Sequence, residues 1–502
     1  MAQVQHQLGQ AQAGAAAAHP HAGRAEEKSL RMGTEPIGRL LLEFAPPTIL
    51  ACMCTGLYNL INTVFLGQTV GAAGIAATTV GFPVQTVMFA FAMWFGAGGN
   101  ARAAIKMGEG RRGEAERCLG NTILLSVVVD GALTVVMLLA LDPILYLCGA
   151  DAGSIGMARD YTGALVCGFV IQAIGPSLNN FIRTDGSPTY ALFTMIVGCV
   201  VSVLFNWLLV VALGMGALGA GVGTVVGQLA AAVAVLGYFR TRRSVMKLTL
   251  ASMRPDRRVI SDILSLGFSS FLLQLAVAFV STLLNQQVMR LGGTDPVGAS
   301  GGLAVIGTLN KVVQLCGFVV FGISIAVQPV IGFNYGARNY RRVRRALWVA
   351  VGLSTALAVV IWAVVRLLDN QILSLFGLQD DLHSFGTRAL GMFMTFYFLQ
   401  PLQVIGSVFF QSTHQPLKAT FLSLTRQCVV YLPALFVVPR VLPALVPGMT
   451  PLLALTCVQA VSDLVSALVV CGFQLVENRK LSRLIRGQEE GSVPAPLELV
   501  VS

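Results

Sequence analysis

Only a few side chains that could do chemistry interrupt the long apolar runs of this chain. Four of them are ionisable and lie well inside such runs: Asp130, Lys311, Arg426 and Asp463. A charge in the middle of a membrane-spanning helix is costly, so each is a candidate for binding an ion or a substrate. Asp130 and Asp463 can exchange a proton or a cation, whereas Lys311 can either pair with Asp463 or face a cleft.

Amide side chains form a second group of candidates. Asn59 and Asn62 are three residues apart and therefore share one face of a helix. The other candidates for a substrate cleft are Gln172, Asn179, Asn180, Gln274, Asn285, Gln314, Gln400 and Gln403. Such amides either join neighbouring helices or line a cleft that accepts varied substrates.

The sequence contains no signature of an enzyme. It has no P-loop, HExxH or GxSxG motif and no paired histidine and carboxylate cluster. Most of the ten cysteines lie in apolar runs, and none has metal-ligand spacing with a histidine nearby. We therefore predict no catalytic residue, no metal site and no cofactor.

Composition places these residues in a membrane protein. Of the 502 residues 55% are apolar and 11% charged, and the mean hydropathy is +0.74, whereas a soluble domain carries about 25% charged residues. Secreted, cytosolic and nucleic-acid-binding proteins are thereby excluded. At ~20 apolar residues per crossing the length allows about twelve helices. We place them at 38–66, 74–101, 119–141, 161–182, 190–213, 217–239, 263–289, 298–331, 346–368, 386–411, 419–441 and 451–476.

Charge and repetition then predict the topology. Most Lys and Arg residues fall in alternate loops and in both tails, which predicts cytoplasmic termini and explains the net charge of +11. Phe95-Gly96 recurs as Phe321-Gly322, and Gly110 recurs at the same offset as Gly336. A six-helix unit therefore occurs twice in the same orientation, which is typical of transporters with a central cleft.

We accordingly predict an all-α polytopic protein with two six-helix lobes in parallel repeat. The predicted parts are a disordered cytoplasmic tail (1–36), an N-terminal lobe (37–240), a cytoplasmic linker (241–262), a C-terminal lobe (263–477) and a cytoplasmic tail (478–502).

Residues 328–343, QPVIGFNYGARNYRRV, are similar to the QPxxGyNyGAxxyxRV signature of the multidrug and toxic compound extrusion (MATE) family, in its MepA-like bacterial branch. Further matches are Gly267-Phe268-Ser269-Ser270-Phe271, Arg426-Gln427, Leu432-Pro433, Val461-Ser462-Asp463, Phe65-Leu66-Gly67 and Gly216-Ala217-Leu218-Gly219-Ala220. This resemblance implies an antiporter with a V-shaped cleft that exports bulky, often cationic, amphipathic compounds in exchange for H+ or Na+.

The sequence departs from the family where the coupling ion binds. The family's carboxylates on the first and fifth helices correspond to Asn62 and Asn206, which cannot titrate but can still ligate Na+ through a carbonyl oxygen. Three interpretations remain: coupling through Asp130, coupling through Asp463, or weak coupling. We favour Asp130 for the N-terminal lobe.

The resemblance also implies a monomer in the bacterial inner membrane that binds small molecules and no nucleic acid. The alternative is a flippase for lipid-linked sugars on a related fold. Such a protein needs cations in its cleft to hold phosphate groups, and Lys311 and Arg426 are the internal cations available.

Overall fold

The computed structural model describes residues 31–69, 72–148, 150, 155–241, 244–293, 295–375 and 380–497, without the side chains of 57–64, 67–68, 72–76, 299–300, 375 and 380–381. Every regular element in these ranges is a helix. Eleven are long and apolar enough to cross a membrane, and a pair bent by 54° supplies a twelfth span. The predicted all-α polytopic fold is confirmed.

The membrane helices are numbered here in chain order. The N-lobe consists of α1 (Ile37–Thr69), α2 (Ala72–Gly108), α3 (Arg112–Leu139), α4 (Ile155–Cys167 and Phe169–Thr184), α5 (Pro188–Ala212) and α6 (Gly216–Arg240). The C-lobe consists of α7 (Arg257–Gly292), α8 (Gly298–Gly336), α9 (Tyr340–Leu367), α10 (Leu382–Ser412), α11 (Pro416–Leu445) and α12 (Pro451–Glu489). Short helices, Leu141–Leu147 and Asp369–Leu375, follow α3 and α9.

Three of the spans contain a π-helical stretch: Ser126–Asp130 in α3, Trp207–Ala212 in α5 and Thr425–Tyr431 in α11. The bend of α4 falls at Gly168, where a Cβ atom would lie 2.5 Å from the Val225 side chain. Gln172 donates a hydrogen bond of 2.8 Å to the Leu165 carbonyl across this bend. Broken backbone of this kind is tolerated in a membrane helix when neighbouring groups satisfy the freed carbonyls.

Several predicted boundaries differ from the structure because local hydrogen bonds extend the ordered part. The Asp256 carboxylate accepts from the backbone amides of Arg258 and Val259, so α7 begins at Arg257 inside the predicted linker. α12 continues to Glu489, into the predicted C-terminal tail.

The predicted disordered tail also ends earlier than expected. Residues 31–34 are helical, and Arg342 donates to the carbonyls of Met32 and Glu35, the first at 3.1 Å. Asn334 donates to Met32 as well, at 2.9 Å. Asn334 and Arg342 belong to the signature 328–343, so one role of that motif is to hold the N-terminal segment on the C-lobe. The rest of the predicted tail, 1–30, lies outside the described residues.

The loop between the lobes is anchored by a buried carboxylate, Asp185. It accepts hydrogen bonds from the Tyr238 hydroxyl at 2.7 Å and from the backbone amides of Val245 and Met246 at 3.0 Å. Burial raises the pKa of Asp185 to about 6, although these hydrogen bonds act in the opposite direction. The linker is therefore fixed to the N-lobe by a titratable group.

Candidate functional site

The two lobes meet at one end of the bundle, here called the closed end, through glycines that permit backbone contact. A Cβ atom on Gly98 of α2 would lie 2.0 Å from the Ile263 carbonyl oxygen of α7, and one on Gly267 would lie 1.8 Å from the Trp94 carbonyl oxygen. No side chain fits at either position. The crossing of α2 and α7 consequently depends on glycine at both residues.

Close backbone contact at glycines also joins α8 to the N-lobe. A Cβ on Gly336 would lie 2.0 Å from the Ile105 carbonyl oxygen, and one on Gly108 would lie 1.8 Å from that of Phe333. Towards the middle of the bundle, a Cβ on Gly322 would lie 2.6 Å from the Ile49 side chain. The closed end is thus the end where α2 and α8 finish and where the described chain starts.

A polar ladder crosses the lobe interface inside this closed end. Thr184 donates to the Asn100 side-chain oxygen (2.5 Å), Asn100 to Gln328 (3.3 Å), Gln328 to Gln411 (3.2 Å) and Gln411 to the Leu266 carbonyl (2.8 Å). Each of the four side chains is buried. The ladder therefore satisfies polar groups that would be left unpaired if the lobes separated.

Sequence reasoning missed this ladder. Asn100 and Gln328 are 228 residues apart, whereas α2 and α8 repeat with an offset of 226, so the two amides are not equivalent positions of the repeat. The sequence carried no signal that would have paired them.

An ion pair and an indole reinforce the closed end. Arg102 of α2 pairs with Asp262 of α7 and donates to the Arg258 carbonyl at 3.1 Å. The Trp94 indole donates to the Leu264 carbonyl at 2.8 Å and stacks on Phe271 with 4.4 Å between ring centroids. Trp94 and Phe271 form the apolar floor beyond which the lobes separate.

At the opposite end, the open end, the same faces of α7 and α8 are solvent-exposed. On α7 a recess of about 610 Å³ is lined by Thr282, Asn285, Gln286, Met289 and Arg290. Gln274 is half-buried between this recess and the floor. On α8, Lys311 and Gln314 are exposed. Of the predicted cleft residues, the structure therefore brings Gln274, Asn285, Lys311 and Gln314 to the inner faces of α7 and α8.

Helical spacing shows that this exposed face of α8 is the one directed at α1. Phe318 lies against Gly56 of α1 and Gly322 against Ile49. Lys311 precedes Phe318 by two turns and Gly322 by three turns, so all three lie on one stripe. Lys311 is thus on the cleft face, past the point where α1 and α8 part.

Asp130 occupies a different environment, the interior of the N-lobe. Its side chain is fully buried, and neither carboxylate oxygen has a hydrogen-bond partner among the described residues. Thr122 and Ser126, spaced by four residues on the same face of α3, are also buried with unpartnered hydroxyls. A buried carboxylate without a donor is expensive, and it marks a place where a cation or proton can bind.

Asp463 is neutralised within the C-lobe by other residues, so of the two alternatives for Lys311 the pairing with Asp463 is wrong. Arg426 donates to the Asp463 carboxylate at 2.9 Å, and Gln459 donates to it at 3.1 Å. The exposed fractions of the Arg426 and Asp463 side chains are 12% and 1%. Arg426 lies in the π-helical stretch of α11, and its guanidinium reaches α12.

Four of the remaining candidate amides form hydrogen bonds within a helix or between helices of one lobe. Gln172 bridges the bend of α4, Asn179 donates to Thr194 of α5 at 2.8 Å, and Gln403 donates to the Leu422 carbonyl at 3.3 Å. Asn180 accepts from the buried Arg183 at 2.7 Å. These contacts stabilise helix packing, so their role in binding stays a prediction.

The other amide candidates have distinct surroundings. Asn206 is buried, donates to Ser202 at 3.2 Å and lies against Gly223 of α6. Gln400 is buried with its side-chain oxygen unpartnered in the described part of the chain. Asn59 and Asn62 fall among the residues whose side chains the structure does not describe.

Comparison with known proteins agrees with this architecture. The chain is 20% identical over 397 residues to the multidrug export protein MepA of Staphylococcus saprophyticus, covering 79% of this chain and 86% of MepA. It is also 20% identical to MepA of Staphylococcus aureus over 404 residues, covering 80% and 87%.

Solved structures share the fold. An outward-facing MATE family transporter superimposes with a TM-score of 0.82 at 22% identity, over 91% of this chain and 99% of that one. A MOP superfamily transporter from Pyrococcus furiosus gives a TM-score of 0.82 at 22% identity, over 91% and 98%. The MatE family model matches residues 47–208 and 269–437, which together make up more than half of the sequence. The chain therefore belongs to the MatE family, as its signature at 328–343 predicted.

Proposed function

We propose that this protein exports bulky amphipathic compounds by alternating access between its two lobes, in exchange for an inward-moving ion. The observation that carries the proposal is the contrast along α7 and α8. At the closed end, Gly98 and Gly267 hold the lobes in backbone contact, whereas further along the same faces Asn285 and Gln314 are exposed. Rocking about the floor at Trp94 would exchange the closed and open ends.

The relatives support the direction of transport. Two that cover about four fifths of this chain are named multidrug export proteins. The distribution of Lys and Arg residues places the closed end at the cytoplasmic side, so that the cleft opens outward. We accordingly place both termini in the cytoplasm of a bacterial cell, with the protein in the inner membrane as a monomer that binds small molecules and no nucleic acid.

We assign ion coupling to Asp130. Asp463 is held by Arg426 and Gln459, so its charge is already compensated, whereas the carboxylate of Asp130 has no donor among the described residues. A hard cation takes about six oxygen ligands at roughly 2.4 Å. The nearest polar side chains on the same face of α3, Ser126 and Thr134, are each about 6 Å along the helix, and the Thr134 hydroxyl donates to the Asp130 backbone carbonyl at 2.8 Å. A lone carboxylate suits a proton, so H+ is favoured over Na+.

The test is export of two fluorescent amphiphiles of opposite charge, ethidium and dansylaminoundecanoic acid, by the purified protein in liposomes, with a proton gradient, a sodium gradient or no gradient. Asp130→Asn should abolish proton-driven export, while Asp160→Asn, an exposed carboxylate outside the N-lobe interior, should leave it unchanged. Full proton-driven export by Asp130→Asn would refute the assignment of Asp130. Failure of every gradient to drive export of any amphiphile would refute the function itself.

A further inference from the structure

Lys311 lies within a membrane helix, is exposed and makes no ion pair with any residue that the structure describes. Arg183 also makes no ion pair in the described part of the chain, but it is buried and donates to Asn180 at 2.7 Å. Arg102 pairs with Asp262 and Arg426 pairs with Asp463. Lys311 is 13 residues from the start of α8 at Gly298, or roughly 20 Å along the helix. An unpaired charge at that depth is energetically tolerated only in a water-filled cleft, so its position indicates a binding site.

The surrounding walls contain no negative charge to compensate for Lys311. In the sequence, α1 has no acidic residue after Glu43, α2 and α8 have none, and α7 has none after Asp262. Both exceptions lie at the closed end. The second cation of the cleft is Arg290, which lines the α7 recess near the open end. The inner faces of α7 and α8 are therefore positive from the mouth to the middle of the span.

We infer that the cleft selects amphiphiles with an anionic group, such as a carboxylate, sulfonate or phosphate. The anionic group binds Lys311, and the apolar body lies against Met289 and the aromatic floor of Trp94 and Phe271. A charge-assisted hydrogen bond in a partly desolvated cleft is stronger than one between neutral groups. A cationic cargo of the same shape meets the uncompensated charges of Lys311 and Arg290 instead. This inference rests on the proposed export function for its biological meaning, but it concerns binding.

The inference is tested by equilibrium binding to the full chain in a neutral detergent, using two fluorescent probes that differ only in charge. One is dansylaminoundecanoic acid, and the other is a dansylated trimethylammonium with the same alkyl chain. We expect the carboxylate to bind at least tenfold more tightly to the native protein. Lys311→Gln should remove this preference and Lys311→Arg should retain it. The matched control is Arg388→Gln, since Arg388 is an exposed arginine of α10 and does not belong to the inner faces of α7 and α8, and it should leave the preference intact.

Equal binding of both probes to the native protein, or a preference that survives Lys311→Gln, would overturn the inference. Competition identifies the source of the anionic group. Displacement of the carboxylate probe by short-chain phosphatidylglycerol would assign the site to a lipid headgroup, as in a flippase. Displacement only by soluble carboxylates or sulfonates would assign it to a free amphiphile. Charge-selective binding without ion-driven export would contradict the proposed function and leave this inference standing.

Discussion

Gly267→Ala should force the closed end apart while leaving each lobe intact. Gly267 lies on α7 at its crossing with α2, and the added Cβ would lie 1.8 Å from the Trp94 carbonyl oxygen. The obstructing atoms are backbone atoms of another helix, so no rotamer change relieves the clash. The helices must therefore separate, and this separation also lengthens the hydrogen bond from the Trp94 indole to the Leu264 carbonyl.

The size of the effect follows from these distances. Restoring an ordinary contact of 3.4 Å requires α2 and α7 to move apart by about 1.6 Å. The indole hydrogen bond of 2.8 Å would then be broken, a loss of about 1 kcal/mol, in addition to roughly 2 kcal/mol for overpacking. A total near 3 kcal/mol shifts the equilibrium between closed and open about 100-fold.

The assay is the distance between spin labels at Gly113 in the N-lobe and Arg479 in the C-lobe, both exposed near the closed end. The labels are attached to introduced cysteines after replacement of the ten native ones, which are free thiols. Gly267→Ala should move the distance distribution to longer values. The control is Gly352→Ala, since a Cβ there meets no atom within 4 Å. An unchanged distribution in Gly267→Ala would show that these glycines do not control closure.

Three further predictions concern the ladder, the Arg426–Asp463 pair and Asp185. Asn100→Ala or Gln328→Ala breaks the ladder between the lobes and should destabilise the closed state by about 1 kcal/mol, which moves the same label distance in the same direction. The effects of the two substitutions should be less than additive in the double variant. Asp463→Asn leaves the guanidinium of Arg426 buried without a counter-charge, so thermal unfolding in detergent should show a loss of about 3 kcal/mol or more. Because burial raises the pKa of Asp185 to about 6, its contribution to stability is full below pH 4 and decreases by about 3 kcal/mol as the pH rises through 6. The melting temperature of the native protein relative to Asp185→Asn should therefore decrease between pH 4 and 6 and stay constant above pH 7.

Each of these three predictions has a specific result that would contradict it. Additive effects of Asn100→Ala and Gln328→Ala would show that the two amides act independently. An unchanged melting temperature for Asp463→Asn, equal to that of the exposed control Asp160→Asn, would show that Arg426 has another counter-charge. A pH-independent difference between Asp185→Asn and the native protein would exclude titration of Asp185 in this range.

The sequence by itself determined the helices, their number and the repeat. Apolar runs of membrane-spanning length leave the backbone no alternative to helix, because its polar groups must be satisfied within each segment. The signature at 328–343 was sufficient to predict the family, which the MatE match confirmed. The exposed, cleft-facing position of Lys311 could be proposed because a charge within an apolar run must avoid lipid.

Only the tertiary structure decided which polar groups meet. Helical spacing fixes the residues that share a face, but not the rotation of that helix towards its neighbours. For this reason the sequence left open a pair between Lys311 and Asp463, whereas the structure pairs Asp463 with Arg426, which lies in the π-helical stretch of α11. The meeting of Asn100 with Gln328, far apart in the chain, depends on the packing of two lobes. Gly98 and Gly267 show the same limit of sequence reasoning. Glycine is common in membrane helices, and its presence alone does not reveal a requirement. Only the structure shows that a Cβ atom at these positions would lie 1.8 to 2.0 Å from the backbone of the opposite helix.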